Sequence, residues 1–272
     1  MAKATRPHLR LSDPAHVKGQ LTTRLQKGGA LLRDMRQLVC QWTDDLSGAE
    51  AQRAAATILH KSTRVRAADT LIRAFRPRFI SGDPQAAWKL ARAVEDTNPP
   101  PEVVRPFYYW ITARSEPLLY QFVTTELFER GKSLDPEIRI NEVASWVGNT
   151  AQDVGKRWTP TVQLKVAQGM LAALRDFGIL EGAARKRITA QHLALHAFCL
   201  IAFCLHDLGF EQKSLVRHHD WRLFLLSQTA VERLFLEAHQ HGWLDYQAAG
   251  EIFRIEFPRD SFAEYAHDFF GR

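Results

Sequence analysis

The run Leu193 to Leu205 reads LALHAFCLIAFCL, with no charged residue in it. A helix built from such a run is apolar on every side, so other parts of the chain must enclose it. The run is too short to cross a bilayer, which takes about 20 residues, and it contains His196. It is therefore expected as a buried helix at the centre of a domain. Its neighbours must turn an apolar face inward and a polar face outward.

The rest of the chain supplies mostly helices. Leu31, Leu32, Met35, Leu38, Val39 and Trp42 recur at spacings of three and four. Ser47, with Glu50 three residues on, predicts a capping box that opens the next helix. Ser62 or Thr63 caps a helix expected to stop before Pro77. Asp83-Pro84 opens another with proline at its first position, and Asn98-Pro99-Pro100-Pro101 is a strong break. Two helices rich in Phe107, Tyr108, Trp110, Leu118, Leu119 and Phe122 follow.

Gly131-Lys132-Ser133-Leu134-Asp135-Pro136 is a candidate domain junction. Beyond it come a helix carrying Ile140, Val143 and Val147, then a turn. A second helix is capped by Thr159, has Pro160 at its first position and ends at Gly178. A basic turn, Arg185-Lys186-Arg187, closes the unit. Helix, turn, helix and short basic hairpin is the order of a winged helix-turn-helix. Near the C-terminus Phe253, Ile255 and Phe257 alternate with Arg254 and Glu256, the pattern of a half-buried strand in a β-hairpin. Three parts are expected: a basic flexible arm over 1–28, an N-terminal helical domain over 29–132, and a C-terminal helical domain over 133–272. The expected fold class is mainly α: a helical bundle followed by a helical part with a winged-helix-like unit and a hairpin.

Charge narrows the partners. The formal net charge is +6 and the pI about 9.4, which favours nucleic acid or anionic surfaces without specifying a fold. Two places gather cations. From the helix over 63–76, a 100° wheel puts Val65, Ala68, Leu71, Ile72, Phe75 and Phe79 on a core stripe. Arg66 and Arg73 lie on the flank, Arg64 opens the helix, Arg76 sits near the boundary, and Lys61 and Arg78 bracket the ends. Such a face can track phosphates. It can also be an ordinary solvated face, since Asp69 lies within helical reach of Arg66 and Arg73. The second place is the N-terminus of the helix after the turn, with Lys156, Arg157, Thr161, Gln163 and Lys165, and with Arg185, Lys186 and Arg187 in the hairpin.

Catalysis finds little support in the sequence. His192 and His196 stand four apart on a helix, but no acid lies between them and no third ligand is evident. Cys40, Cys199 and Cys204 form no CxxC pair, and no glycine-rich phosphate loop or GxSxG occurs. The N-terminus lacks an apolar signal core. The chain is expected to be a cytoplasmic non-enzyme with no cofactor, no metal and no membrane contact.

Four segments resemble the BrxA family of BREX phage-defence systems: QLTTRLQKGGALLRDMRQLVCQW, KSTRVRAADTLIRAFRPRF, PLLYQFVTTEL and SWVGNTAQDVGKRWTPTVQLKVAQGMLAALRDFGIL. Their order and spacing carry the resemblance, over residues 20 to about 190. Gln121 stands where the family commonly has an acid. The resemblance implies an all-helical fold, NusB-like in part, that binds double-stranded DNA without catalytic residues and works with other BREX components. RNA is an alternative nucleic acid. A protein-interaction scaffold and a winged-helix regulator are alternative roles.

Overall fold

The structure is a computed structural model that describes residues 21–132, 137–183, 185–189 and 192–270. It is mainly helical, with two small antiparallel sheets. The first half runs α1 (Leu32–Gln41), α2 (Gly48–Leu59), α3 (Arg64–Thr70), a π-helix (Leu71–Ile80), α4 (Ala87–Glu95) and α5 (Pro101–Ser115). It continues with α6 (Pro117–Phe122), a second π-helical stretch (Val123–Leu127) and α7 (Phe128–Arg130). Next come β1 (Glu137–Ile138), α8 (Ile140–Asp153), α9 (Pro160–Asp176), β2 (Leu180–Glu181) and β3 (Lys186–Ile188). The chain closes with α10 (Leu195–Asp207), α11 (Gln212–Val216), a 3-10 turn (His219–Phe224), α12 (Gln228–Gln240), the hairpin β4 (Asp245–Ala249) and β5 (Ile252–Glu256), and α13 (Phe262–Phe270).

The apolar run forms α10, and every residue from Ala197 to Leu205 is buried. Helices α5, α12 and α13 pack around it. Phe198 meets Trp221 and Phe235, while Phe203 meets Phe257 and Tyr265. One core runs through both halves of the chain. Tyr109 of α5 touches Phe177 and Phe224, and its hydroxyl donates to the Leu223 carbonyl at 3.1 Å. Position 133 therefore does not separate two cores. Residues 21–28, expected as part of a flexible arm, belong to the fold, with Leu21 and Leu25 buried. Residues 1–20 lie outside the described residues.

Three local expectations change. Ser47 precedes α2 without a side-chain cap bond, so the capping box is not formed. Pro84 precedes α4 instead of opening it. Most consequential, the helix begun by α3 passes through Pro77 to Ile80. A proline ring clashes with the carbonyl four residues back, and the wider π-turn moves that carbonyl away. The buried positions along α3 and the π-helix are Ala67, Leu71, Ala74, Phe75, Arg78 and Phe79. Val65 and Ile72, expected on the core stripe, are instead 73% and 48% exposed.

A buried polar hub sits where α5 breaks into α6. Arg114, Ser115 and Glu116 are all buried. Arg114 donates to Asp220 at 2.6 Å and to Asp83 at 2.7 Å. Asp220 also accepts from the Trp110 indole at 2.6 Å and the Tyr120 hydroxyl at 2.9 Å. Glu116 accepts from Arg78 at 3.0 Å and from Arg24 at 3.4 Å. Burial works against the Asp220 charge, yet Arg114, His218 and Trp110 hold its carboxyl below the usual range.

Removing one partner from such a network leaves a buried charge uncompensated. Asp220→Asn is expected to lower the unfolding free energy by about 3–5 kcal/mol, read from urea denaturation at neutral pH. Asp83 behaves oppositely. Burial pushes its carboxyl up to about 6, against the pull of Arg114. The folded state then holds the proton more tightly than the unfolded chain, whose Asp titrates near 3.9. This contribution is fully present below about pH 3.9 and is lost as pH rises through about 6. Asp83→Asn should flatten the pH dependence of stability between those values by up to about 3 kcal/mol, measured by denaturation at stepped pH.

Candidate nucleic-acid interface

Residues 137–188 form one strand–helix–turn–helix–hairpin unit. Helices α8 and α9 pack closely, and the three short strands line up in the order β1-β3-β2, both pairings antiparallel. The local sequence explains the turn. Thr159 caps α9 by accepting from the Val162 amide at 3.4 Å, and Pro160 occupies the first helical position. The Gln163 side chain donates to the Trp158 carbonyl at 2.8 Å and covers Gly148, where a Cβ would lie 2.7 Å from it. Gln163 therefore braces the turn instead of facing outward.

The back of α9 is closed by the segment before α1. A Cβ at Gly169 would overlap the Leu25 carbonyl, so only glycine permits this approach. The Lys156 ammonium donates to the Leu21 carbonyl. The opposite side of α9 stays open: Thr161, Leu164, Lys165 and Gln168 are exposed along one stripe. Arg157 in the turn and Arg185 in the hairpin are exposed, and neither has an ion-pair partner among the described residues. Arg187 stands opposite Glu137 on one side and Glu181 on the other, so its charge is offset across the sheet. Lys186 donates to the Ala183 carbonyl at 2.8 Å.

The cations around α3 divide sharply. Arg78 is fully buried: it pairs with Glu116 and donates to the carbonyls of Gly28 and Gly29 at 2.7 and 2.9 Å. It cannot reach a ligand, so the expected surface contact at Arg78 does not exist. Lys61 lies 2.7 Å from both oxygens of Asp34. Arg73 pairs with Asp69 at 3.0 Å, the neutralising contact that helical spacing allows. The Arg66 guanidinium donates only to the Ser62 hydroxyl, at 3.2 Å, among the described residues. Arg64 and Arg76 have no acidic partner among them. The set left uncompensated is Arg64, Arg66 and Arg76 beside α3, and Arg157, Lys165 and Arg185 on the strand–helix unit.

Two surface residues of this unit escape a reading of charge clusters. Gln168 extends the open stripe of α9, and Arg139 is exposed directly after β1. The helical period after Pro160 could have found Gln168, two turns along from Thr161. Arg139 had no such signal, because a two-residue strand has no readable alternation.

Among the described residues no group of three or more His, Cys, Asp or Glu side chains is placed to hold a metal ion. His196 instead packs against Trp243, Phe269 and Phe270. No described helix is long and apolar enough to cross a membrane.

The fold thus defines a mainly helical protein with a strand-flanked helix–turn–helix set into a single core. Residues 20–203 match the family model of BrxA, and the chain belongs to the BrxA family, a component of BREX phage defence. Two crystal structures of similar fold are a magnesium ion-bound SspB and a second SspB structure. The first has a TM-score of 0.61 at 10% identity, covering 93% of this chain and 88% of that one. The second has a TM-score of 0.54 at 10% identity, covering 94% and 90%. At this identity the likeness concerns the fold alone. No curated protein sequence matches the chain.

The Gly169 contact is testable. Alanine favours a helix by about 1 kcal/mol over glycine, so propensity alone predicts that Gly169→Ala stabilises the protein. The backbone overlap predicts instead a loss of about 1–3 kcal/mol, together with faster tryptic cleavage at Arg24 and Lys27. Thermal denaturation and timed proteolysis separate the two.

Proposed function

We propose that this chain is a non-catalytic, double-stranded-DNA-binding component of its BREX system. The observation that carries the reading is the open stripe of α9. Its back is sealed by residues 21–28 and its N-terminus is capped. Its outward face carries Thr161, Leu164, Lys165 and Gln168, with Arg157 and Arg185 beside it. The order β1, α8, α9, β2, β3 is that of a winged helix-turn-helix, in which the second helix enters the major groove and the hairpin lies along the backbone. Short polar and cationic side chains suit that position: Lys and Arg contact phosphate, while Gln and Thr can meet base edges. The N-terminal helices up to α7, expected to be NusB-like, serve in this reading as the body that holds the unit and meets other BREX components. The protein acts in the cytoplasm and needs no cofactor. Arg64, Arg66 and Arg76 form a separate cationic surface.

The test is binding of a labelled random-sequence DNA duplex across a salt series. Wild type should bind with a steep negative slope of log K on log salt, roughly −0.9 per phosphate neutralised. Arg157→Glu/Lys165→Glu should weaken binding at least about tenfold and make the slope shallower by about 2. An RNA duplex of the same length, run in parallel, distinguishes the nucleic acids by their groove geometry. A well-folded protein that ignores DNA at low salt would overturn the reading.

A further inference from the structure

The exposed side of α3 and of the π-helix that continues it has a composition that a phosphate-tracking surface does not need. Val65 and Ile72 are 73% and 48% exposed, among the few large apolar side chains that face outward. They stand seven residues apart, with the half-buried Ala68 between them, so the three form a short aliphatic seam along two helical turns. Uncompensated guanidinium groups edge it: Arg64 and Arg66 at one end and Arg76 at the other. The acid within the face, Asp69, is already engaged by Arg73 at 3.0 Å. Thr63 caps the start of α3 by accepting from the Arg66 amide at 3.2 Å, and this holds Arg64 and Val65 at the outset of a defined helix.

We propose that this face docks an amphipathic helix of a partner protein, with aliphatic residues along its contact line and Asp or Glu on its flanks. This goes beyond the DNA-binding reading and does not depend on it. The apolar seam decides between partner classes. A sugar–phosphate backbone satisfies arginines but leaves two β-branched aliphatics facing charge and water. A protein helix covers them, and apolar burial drives association. The arginines then specify an acidic partner and disfavour a basic one, since like charges across an interface are strongly unfavourable. They also orient the helix, with two cations at one end of the seam and one at the other.

The experiment uses the full chain and a fluorescein-labelled, hydrocarbon-stapled 18-residue helical peptide with isoleucine and leucine on one face and glutamates flanking it. A lysine-flanked version is the control. Fluorescence anisotropy should show saturable binding of the glutamate peptide and at least about tenfold weaker binding of the lysine peptide. Val65→Ser/Ile72→Ser, which changes only exposed positions, should weaken the glutamate peptide at least about tenfold while leaving duplex DNA binding unchanged. Arg64→Glu/Arg66→Glu should weaken the same peptide and improve the lysine one. Circular dichroism confirms that each variant is folded. The proposal is overturned if the glutamate peptide fails to bind up to about 1 mM, or if it binds the serine variant as well as wild type. It is equally overturned if duplex DNA competes the peptide off wild type and loses affinity on Arg64→Glu/Arg66→Glu, which would make the face a phosphate surface. If DNA binding by the strand–helix unit fails on its own test, these peptide outcomes keep their meaning.

Discussion

Three consecutive residues, Arg114, Ser115 and Glu116, hold the halves of this molecule in register. They fall where α5 stops and α6 begins, a point the sequence marks only by Pro117. Arg114 reaches forward in sequence to Asp220 and back to Asp83. Ser115 donates to the Arg78 carbonyl and accepts from the Asp83 amide. Glu116 takes Arg78 and Arg24. Gly82 follows from this, since a Cβ there would collide with the Ser115 hydroxyl. Apolar burial around α10 supplies the driving force, but it is non-directional and would tolerate many arrangements. A buried ion pair adds little net stability over an apolar replacement. Its effect here is geometric: each unmatched arrangement would leave a charge without a partner in the core. The shifts agree with that reading. Burial opposes the Arg114 charge, yet Asp220 and Asp83 raise its pKa, while the same burial leaves the more peripheral Asp83 easier to protonate.

This hub also governs the candidate interface, although it lies away from it. Arg78 bridges Glu116 to the carbonyls of Gly28 and Gly29, and Arg24 ties the preceding turn to the same acid. The segment so anchored is the one that packs on Gly169 and accepts the Lys156 ammonium. The open face of α9 is therefore set by a chain of contacts running from Asp220 through Glu116 and Leu25. A cation counted as a surface contact, Arg78, turns out to be a link in that chain. Lys156 is another.

That outcome shows where the sequence could be read and where it could not. The helical class, the buried α10, the Thr159 cap, the turn before Pro160 and the β4–β5 hairpin all rest on local signals of period, cap or alternation, and these survive folding. The buried face of α3 and the π-helix is not legible in this way: Val65 and Ile72 are apolar enough for a core stripe, yet the inward side is taken by Ala67, Leu71, Ala74 and Phe75. Lys61, Arg73 and Arg78 illustrate a second limit. Their charge is visible in the sequence, but its availability depends on Asp34, Asp69 and Glu116, and Asp34 and Glu116 lie tens of residues away. Only Asp69 sits at a spacing from which its pairing could be foreseen. The strand β1 is a third case: two residues cannot display alternation, and its identity comes wholly from β3.

A surface cation without an acid in reach attracts anions of any kind, so the partner is specified by what lies between the cations. On α9 the interval holds Thr161 and Gln168, which exchange hydrogen bonds with water at little cost and can equally offer them to a polar groove, and one apolar side chain, Leu164, only 37% exposed. Along α3 and its π-helical continuation the interval is filled by Val65 and Ile72, which gain nothing from a polar groove and much from an apolar cover. Both surfaces are basic, and a count of lysines and arginines would rank them together. Their chemistry separates them, and it does so through neutral residues.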